Sequence, residues 1–291
     1  MSRRTAAEHR LGWLLCAPAV IAMLLVTAWP MLYALWLSMF RYDLRFPAER
    51  EFIGFDNYVA VLGSEVWWQA LSNTLFITVA SVAVELVLGF VFALIMHRAI
   101  IGRRLVRTSL LVPYGIITVV AAMSWRFAFD PTTGFINALL GLEGAWLAER
   151  GSAFFVIIQT EVWKTTPFMA LLLLAGLTLV PDDLLRAARV DGANAVQRFF
   201  RVTLPLMRPV IMVALLFRTL DAFRIFDTVF VQTRGSQNTE SLSIVGYNTL
   251  ITRLNLGLGS AVSVLIFLSV LAIAAMYIRG FGVDLSQRKD S

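Results

Sequence analysis

The chain is poor in charge. Only 15% of its 291 residues are charged, where a soluble globular domain carries roughly a quarter, so a large water-facing surface is excluded. Cysteine occurs once, at Cys16, and no internal disulfide can form. Its place in an apolar run predicts a small buried thiol. The preceding Trp13-Leu14-Leu15 lacks the small side chains of a lipoprotein cleavage site. Histidine occurs twice, as His9 and His97, both at the ends of apolar runs, where interfacial packing or solvation is the simplest role. No HExxH or paired-cysteine pattern points to a metal, and no nucleophile constellation points to an enzyme. No GxxxxGK[ST] phosphate loop is present, so the chain does not bind ATP in the usual way. The stretches between apolar runs reach only roughly 30 residues, too few for a soluble domain.

What is present is apolar: 58% of the residues are hydrophobic, with a mean hydropathy of +0.75. A bilayer core of about 30 Å needs roughly 20 apolar residues per helix. Six runs satisfy this, near Leu11–Phe40, Ala70–Met96, Leu105–Phe129, Ser152–Val180, Pro209–Phe230 and Gly259–Phe281. The first follows Arg3, Arg4 and Arg10, as a signal peptide would. At roughly 30 residues it is too long for an apolar stretch of about 7–15, and Trp29, Pro30 and Trp36 do not suit a cleavage region. The expectation is an all-α integral membrane protein with six transmembrane helices, forming a single domain over residues 1–291.

Arginine placement sets the direction. With the N-terminus inside, fifteen basic residues fall on cytoplasmic segments: Arg3, Arg4 and Arg10, then Arg98 to Arg107, then Arg186 to Arg208, then Arg279, Arg288 and Lys289. Six fall outside: Arg41, Arg45, Arg50, Arg150, Arg234 and Arg253. Both termini are therefore expected in the cytoplasm, and the net charge of +6 reflects orientation rather than nucleic-acid binding.

The loop after the fourth run, about residues 181–208, carries the most information. Pro181, Asp182 and Asp183 signal a helix start, with acids at the positive end of the dipole. Leu184, Leu185, Ala188 and Val190 form a short apolar face. Gly192 is a helix stop, a second short helix begins near Asn194, and Pro205 and Pro209 punctuate the entry to the fifth run. Such an element can be gripped by a partner.

The segment Arg186-Ala187-Ala188, Asp191-Gly192-Ala193, Phe199 and Leu204-Pro205-Leu206-Met207-Arg208-Pro209 resembles the signature of the sugar permeases of binding-protein-dependent ABC importers. The resemblance covers most of the chain. It includes Trp29-Pro30, Phe52-Ile53-Gly54-Phe55-Asp56-Asn57-Tyr58, Asn73-Thr74 and Phe226-Asp227. The runs Glu161 to Phe168 and Phe217 to Asp227 resemble trehalose and maltose permeases. This implies a type I ABC importer permease fold and transport of a disaccharide, trehalose first and maltose or a relative next. It also implies a bacterial inner-membrane location, a second permease subunit, a dimer of ATP-binding subunits holding the ATP and Mg, and an external sugar-binding protein. No cofactor is implied in this chain. Residues Arg186, Ala187, Ala188, Asp191, Gly192, Ala193, Phe199 and Pro205 would couple to the ATPase. The family glutamate is Arg186 here, so Asp182, Asp183 or Asp191 supplies the acid, or the ATPase carries a matching change. A turn that is often Gly-Gly-Pro in the family reads Arg234-Gly235-Ser236.

Charges within the runs are costly, roughly 2.5–3.5 kcal/mol each at mid-helix. Glu85, Glu161, Lys164, Arg218, Asp221, Arg224 and Asp227 are such charges. Spacing of three places Glu161 near Lys164 and brings the charges of the fifth run within reach of one another. Two readings stand: structural ion pairs, or the lining of a watery pathway. In the second, Glu161, Lys164, Asp221, Arg224 and Asp227 share the outer half of the membrane with Asn73, and Trp125, Trp163 and Phe223 supply aromatic surface for a sugar. Pro167 is expected to kink the fourth helix, and Glu85 shows no partner in its own helix. The alternative class is an ion-coupled secondary transporter of a small polar solute, which usually shows internal repeats and more spans.

Overall fold

A computed structural model describes residues 3–98, 103–141 and 144–280. Phe281, Arg288 and Lys289 lie outside the described residues, as do the side chains of Arg3, Arg4, His9, Arg10, Arg98, Arg103, Arg104 and Arg107.

Contacts divide the chain into two units. The first takes in Met1–Ser64 and Gly246–Phe267. Helix α1, Arg3–Met23, runs through a π-helical turn, Leu24–Ala28, into α2, Trp29–Leu37. Pro30 explains the widened turn, because proline removes a helical donor and crowds the carbonyl four residues back. Cys16 is exposed rather than buried, as are nearly all the described side chains of α1. A short hairpin follows, β1 (Phe40–Arg41) against β2 (Glu51–Phe52), with Arg41 and Glu51 paired at 3.0 Å. Helix α3, Asp56–Leu62, is tied back by Asn57, whose amide donates to the Ser38 and Phe40 carbonyls at 2.8 and 2.9 Å. A Cβ at Gly257 would sit 2.0 Å from the Phe40 carbonyl oxygen, so only glycine fits there.

The second unit takes in Glu65–Val245 and Leu268–Ser291. Its elements are α4 (Glu65–Arg98), α5 (Arg103–Gly115), α6 (Thr118–Ala128), α7 (Phe135–Leu140) and α8 (Arg150–Thr178). Then come α9 (Asp182–Val190), α10 (Ala195–Arg198), a π-helical turn Phe199–Thr203, α11 (Leu204–Leu206), α12 (Arg208–Phe223) and α13 (Asp227–Gln232). Helices α14 (Leu242–Tyr247) and α15 (Leu256–Gly280) follow, each with residues in both units. The core lies where α4, α8 and α12 meet, with Val82, Ala93 and Met96 against Met169, Leu173 and Leu177, and Met207 and Ala214. Gly89 lets α8 approach α4, and Gly176 lets α12 approach α8, as small residues do between membrane helices. Their added Cβ atoms would lie 2.7 Å from Met169 and 2.9 Å from Val210.

Among the described residues, three helical stretches are long and apolar enough to cross a membrane: Trp13–Leu37, Glu65–His97 and Leu256–Gly280. Three bent pairs bring the number to as many as six if each pair is one span. The third apolar run is thus not one helix. It bends by 95° between Gly115 and Thr118, where Pro113 withdraws a donor and Ile117 adopts an extended conformation. The fourth run forms one helix that continues through Pro167. The fifth breaks after Phe223, and α13 restarts at Asp227. Hydroxyls satisfy that break: Ser241 donates to the Ile225 carbonyl and Ser243 to the Arg224 carbonyl, at 3.0 and 3.3 Å.

The loop after α8 folds as its residues dictate. Pro181 precedes α9, Asp182 and Asp183 fill its first turn, and Gly192 takes the left-handed conformation with φ +81°. Asn194 caps α10 in a reciprocal box with Gln197, at 2.8 and 2.9 Å.

Candidate functional site

A cavity of about 430 Å3 opens in the second unit where α5, α6, α8, α12 and α13 converge. That lies within the about 300–1,000 Å3 usual for small-molecule sites. Its walls carry Glu161 and Lys164 from α8, and Asp221, Arg224 and Asp227 from the broken fifth run. Thr118, Thr165 and Thr228 add hydroxyls, and Tyr114 and Phe226 add rings. Both helix breaks border it: Tyr114 and Thr118 flank one, and Arg224 to Asp227 form the other.

The charges divide into two sets. In the first, Arg218 of α12 binds three carboxylates. Its Nε and Nη2 donate to Glu85 at 2.5 and 2.9 Å, Nη2 to Glu161 at 3.1 Å, and Nη1 to Asp221 at 2.8 Å. The Thr228 hydroxyl donates a short bond to the other oxygen of Glu161, and that of Thr165 lies 2.8 Å from Glu85. Burial demands this. The side chains of Arg218 and Glu85 are 1% and 0% exposed, and an unpaired buried charge is far costlier than a paired one. In the second set, Lys164, Arg224 and Asp227 form no ion pair among the described residues. Lys164 lies over the Tyr114 ring, 5.5 Å from its centre, and Tyr114 stacks on Phe168.

The spacing argument holds only partly. Arg218 and Asp221 pair at three residues, but Glu161 turns to Arg218 and Thr228 rather than to Lys164. Asp221, Arg224 and Asp227 share no continuous helix face because α12 ends at Phe223. Glu85, without a partner in its own helix, finds one in Arg218, 133 positions away.

Four expected residues, Asn73, Trp125, Trp163 and Phe223, do not line the cavity. Asn73 is 1% exposed, donating to the Asn238 and Glu240 carbonyls at 2.8 and 2.9 Å and accepting from Arg150 at 3.0 Å. Trp125 packs edge-on to Trp163 at 5.6 Å and against Phe129. Phe223 is buried in the core, 1% exposed. The cavity rings are Tyr114 and Phe226 instead.

At the other candidate surface, Arg186, Ala187 and Ala188 lie on α9, and Arg186 comes 3.9 Å from Asp183 with both side chains exposed. Asp191, Gly192 and Ala193 form the turn. Phe199 packs edge-on to Phe90 of α4 at 5.5 Å, and Pro205 lies in α11. Leu184, Val190, Val196 and Phe200 are exposed along this segment.

A family model described as the binding-protein-dependent transport system inner membrane component matches residues 85–281. The chain belongs to that family. The match takes in both the cavity and the α9–α11 segment. The trehalose transport system permease protein SugA of Mycobacterium tuberculosis is 55% identical over 276 residues, 95% of this chain and 90% of that protein. The trehalose/maltose transport system permease protein MalF of Thermococcus litoralis is 39% identical over 281 residues, 94% of each chain. Among solved structures, a chain of a bacterial ABC transporter that imports the acidic polysaccharide alginate aligns with TM-score 0.82 and 23% identity. It covers 98% of this chain and 100% of that one. The permease therefore has the all-helical type I ABC importer fold.

Proposed function

We propose that this permease passes a disaccharide, trehalose first and maltose or a related sugar next, from an external binding protein to the cytoplasm. The observation that carries the reading is the cavity: hydroxyls, carboxylates and two cations that form no ion pair among the described residues converge beside two rings. Sugars are held by such mixed donors and acceptors, with a flat face against the ring. Four carboxylates (Glu85, Glu161, Asp221, Asp227) meet three cations (Lys164, Arg218, Arg224) in and behind the wall. That near balance suits a neutral polyhydroxylated solute. The names of the two relatives support the sugar.

In this reading residues 1–291 act as one permease domain crossing the bacterial inner membrane six times, with both ends cytoplasmic. The arginine distribution and the three bent pairs support that count. A second permease completes the path, and a dimer of ATPase subunits binds ATP and Mg. The segment of α9 to α11 docks on one of those subunits through its exposed apolar side chains, with Asp182, Asp183 or Asp191 as the acid and Arg186 turned to Asp183.

Uptake of radiolabelled trehalose in a deletion strain, restored by this gene with its partners, tests the proposal. The expected uptake is vanadate-sensitive and insensitive to collapse of ion gradients, and Asp227→Asn or Lys164→Met lowers it at equal abundance. Uptake that follows the ion gradient would favour the secondary transporter.

A further inference from the structure

Glu85 and Arg218 do not line the cavity, yet Arg218 touches both acids that Glu161 and Asp221 bring to it. Four hydrogen bonds engage the guanidinium. Its buried edge, Nε and Nη2, grips Glu85 with two parallel bonds. The second Nη2 hydrogen reaches Glu161 and one Nη1 hydrogen reaches Asp221. The planar fork fixes the angle between those bonds, which the compact point charge of a lysine does not. Asp221 gains most, because its side chain is 70% exposed and would otherwise sample several rotamers. Thr228 completes the set by occupying the second oxygen of Glu161.

A tie between helices needs one acceptor. Three acceptors from α4, α8 and α12 on one guanidinium instead define a geometry. We propose that Arg218, braced by Glu85, is a positioning residue that sets the separation and direction of Glu161 and Asp221, and through them which pattern of sugar hydroxyls the cavity accepts. Preorganised acceptors lose little freedom on binding, and their supporting contacts decide their precision. This rests on the reading of the cavity as the route of the sugar.

The test is a selectivity ratio in the assembled importer. Initial uptake of labelled trehalose and of labelled maltose is measured with the same binding protein, whose own preference then cancels from any change in the ratio. Glu161→Gln and Asp221→Asn are expected to shift the ratio by about fivefold. Arg218→Lys and Glu85→Gln should shift it in the same direction by a similar factor. In the Glu161→Gln/Asp221→Asn background, adding Arg218→Lys should change it by less than about twofold, because residues acting through one another are not additive. If the acid variants shift the ratio while Arg218→Lys and Glu85→Gln lower both sugars equally, the positioning role is overturned and the cavity stands. If the shifts multiply in the combined variant, the role is also overturned. If the acid variants leave the ratio and the uptake unchanged, the cavity reading itself fails. Glu85→Gln preserves shape and covers a failure of Arg218→Lys to assemble; loss of assembly in both would assign the network to folding and overturn the proposal.

Discussion

Replacing Gly192 isolates one backbone angle. Its φ is +81°, and no atom lies within 4 Å of where a Cβ would stand, so alanine meets no steric obstacle beyond its own backbone. The left-handed conformation costs an L-residue about 1–2 kcal/mol, and asparagine tolerates it better. Proline is worse on two counts. Its φ is locked near −65°, and it deletes the bond from the Gly192 N–H to the Arg189 carbonyl, 3.1 Å long; together these cost about 3 kcal/mol or more. A penalty of one or two kcal/mol changes the population of the native turn by about 5–30-fold. If a partner ATPase grips α9 and the turn behind it, sugar-stimulated ATP hydrolysis and uptake per assembled transporter should fall in the order Gly, Asn, Ala, Pro. Gly151→Ala is the control: nothing lies within 4 Å of its Cβ and its φ is ordinary, so uptake should not change. Equal coupling in the Ala and Pro variants, at equal membrane abundance, would refute the reasoning.

Other outcomes follow from single contacts. Gly89→Leu forces a side chain onto Met169 and Leu173, with its Cβ already 2.7 Å from Met169; thermal denaturation in detergent should show a loss of about 1–3 kcal/mol. Asn73→Ala withdraws both amide donors from the carbonyls of Asn238 and Glu240; stability should fall by about 1–3 kcal/mol, with faster proteolysis near residues 234–240. Arg45 donates from its guanidinium and backbone N–H to Asp43 and lowers that carboxyl from 3.8 to about 2. The folded value is depressed, so the contribution of this pair is complete above 3.8 and is lost as pH falls through about 2. A carboxyl-labelled NMR titration should find that midpoint, and Arg45→Ala should return it toward 3.8.

Local chemistry was readable where it was local. Pro181, the two following aspartates, Gly192 and Asn194 each fix a neighbouring backbone angle or bond, and the structure has the helix start, turn and cap they imply. Glu161, Lys164, Asp221, Arg224 and Asp227, singled out by their cost in a membrane, all reach one cavity. Pairing across 133 positions was not readable, because spacing rules apply only within one helix. A signal existed, since a lone interior carboxylate at Glu85 requires a cation from another helix. The 95° bend lies in a stretch that no charge interrupts between Arg107 and Arg126; Pro113 and Gly115, two residues apart, mark it. Asn73, Trp125 and Phe223 have the chemistry of a sugar site, but their directions depend on tertiary packing.

The interrupted helices have a further consequence. A helix that stops and restarts leaves N–H and C=O groups outside its own ladder, and lipid tails offer them no partner. Ser241 and Ser243 answer two of these carbonyls from one side. Arg224 and Ile225, whose carbonyls these serines hold, line the cavity, while Ser241 and Ser243 themselves do not. Two of the bonds that hold the break are thus made from behind the wall, so this part of the cavity is braced before any solute arrives.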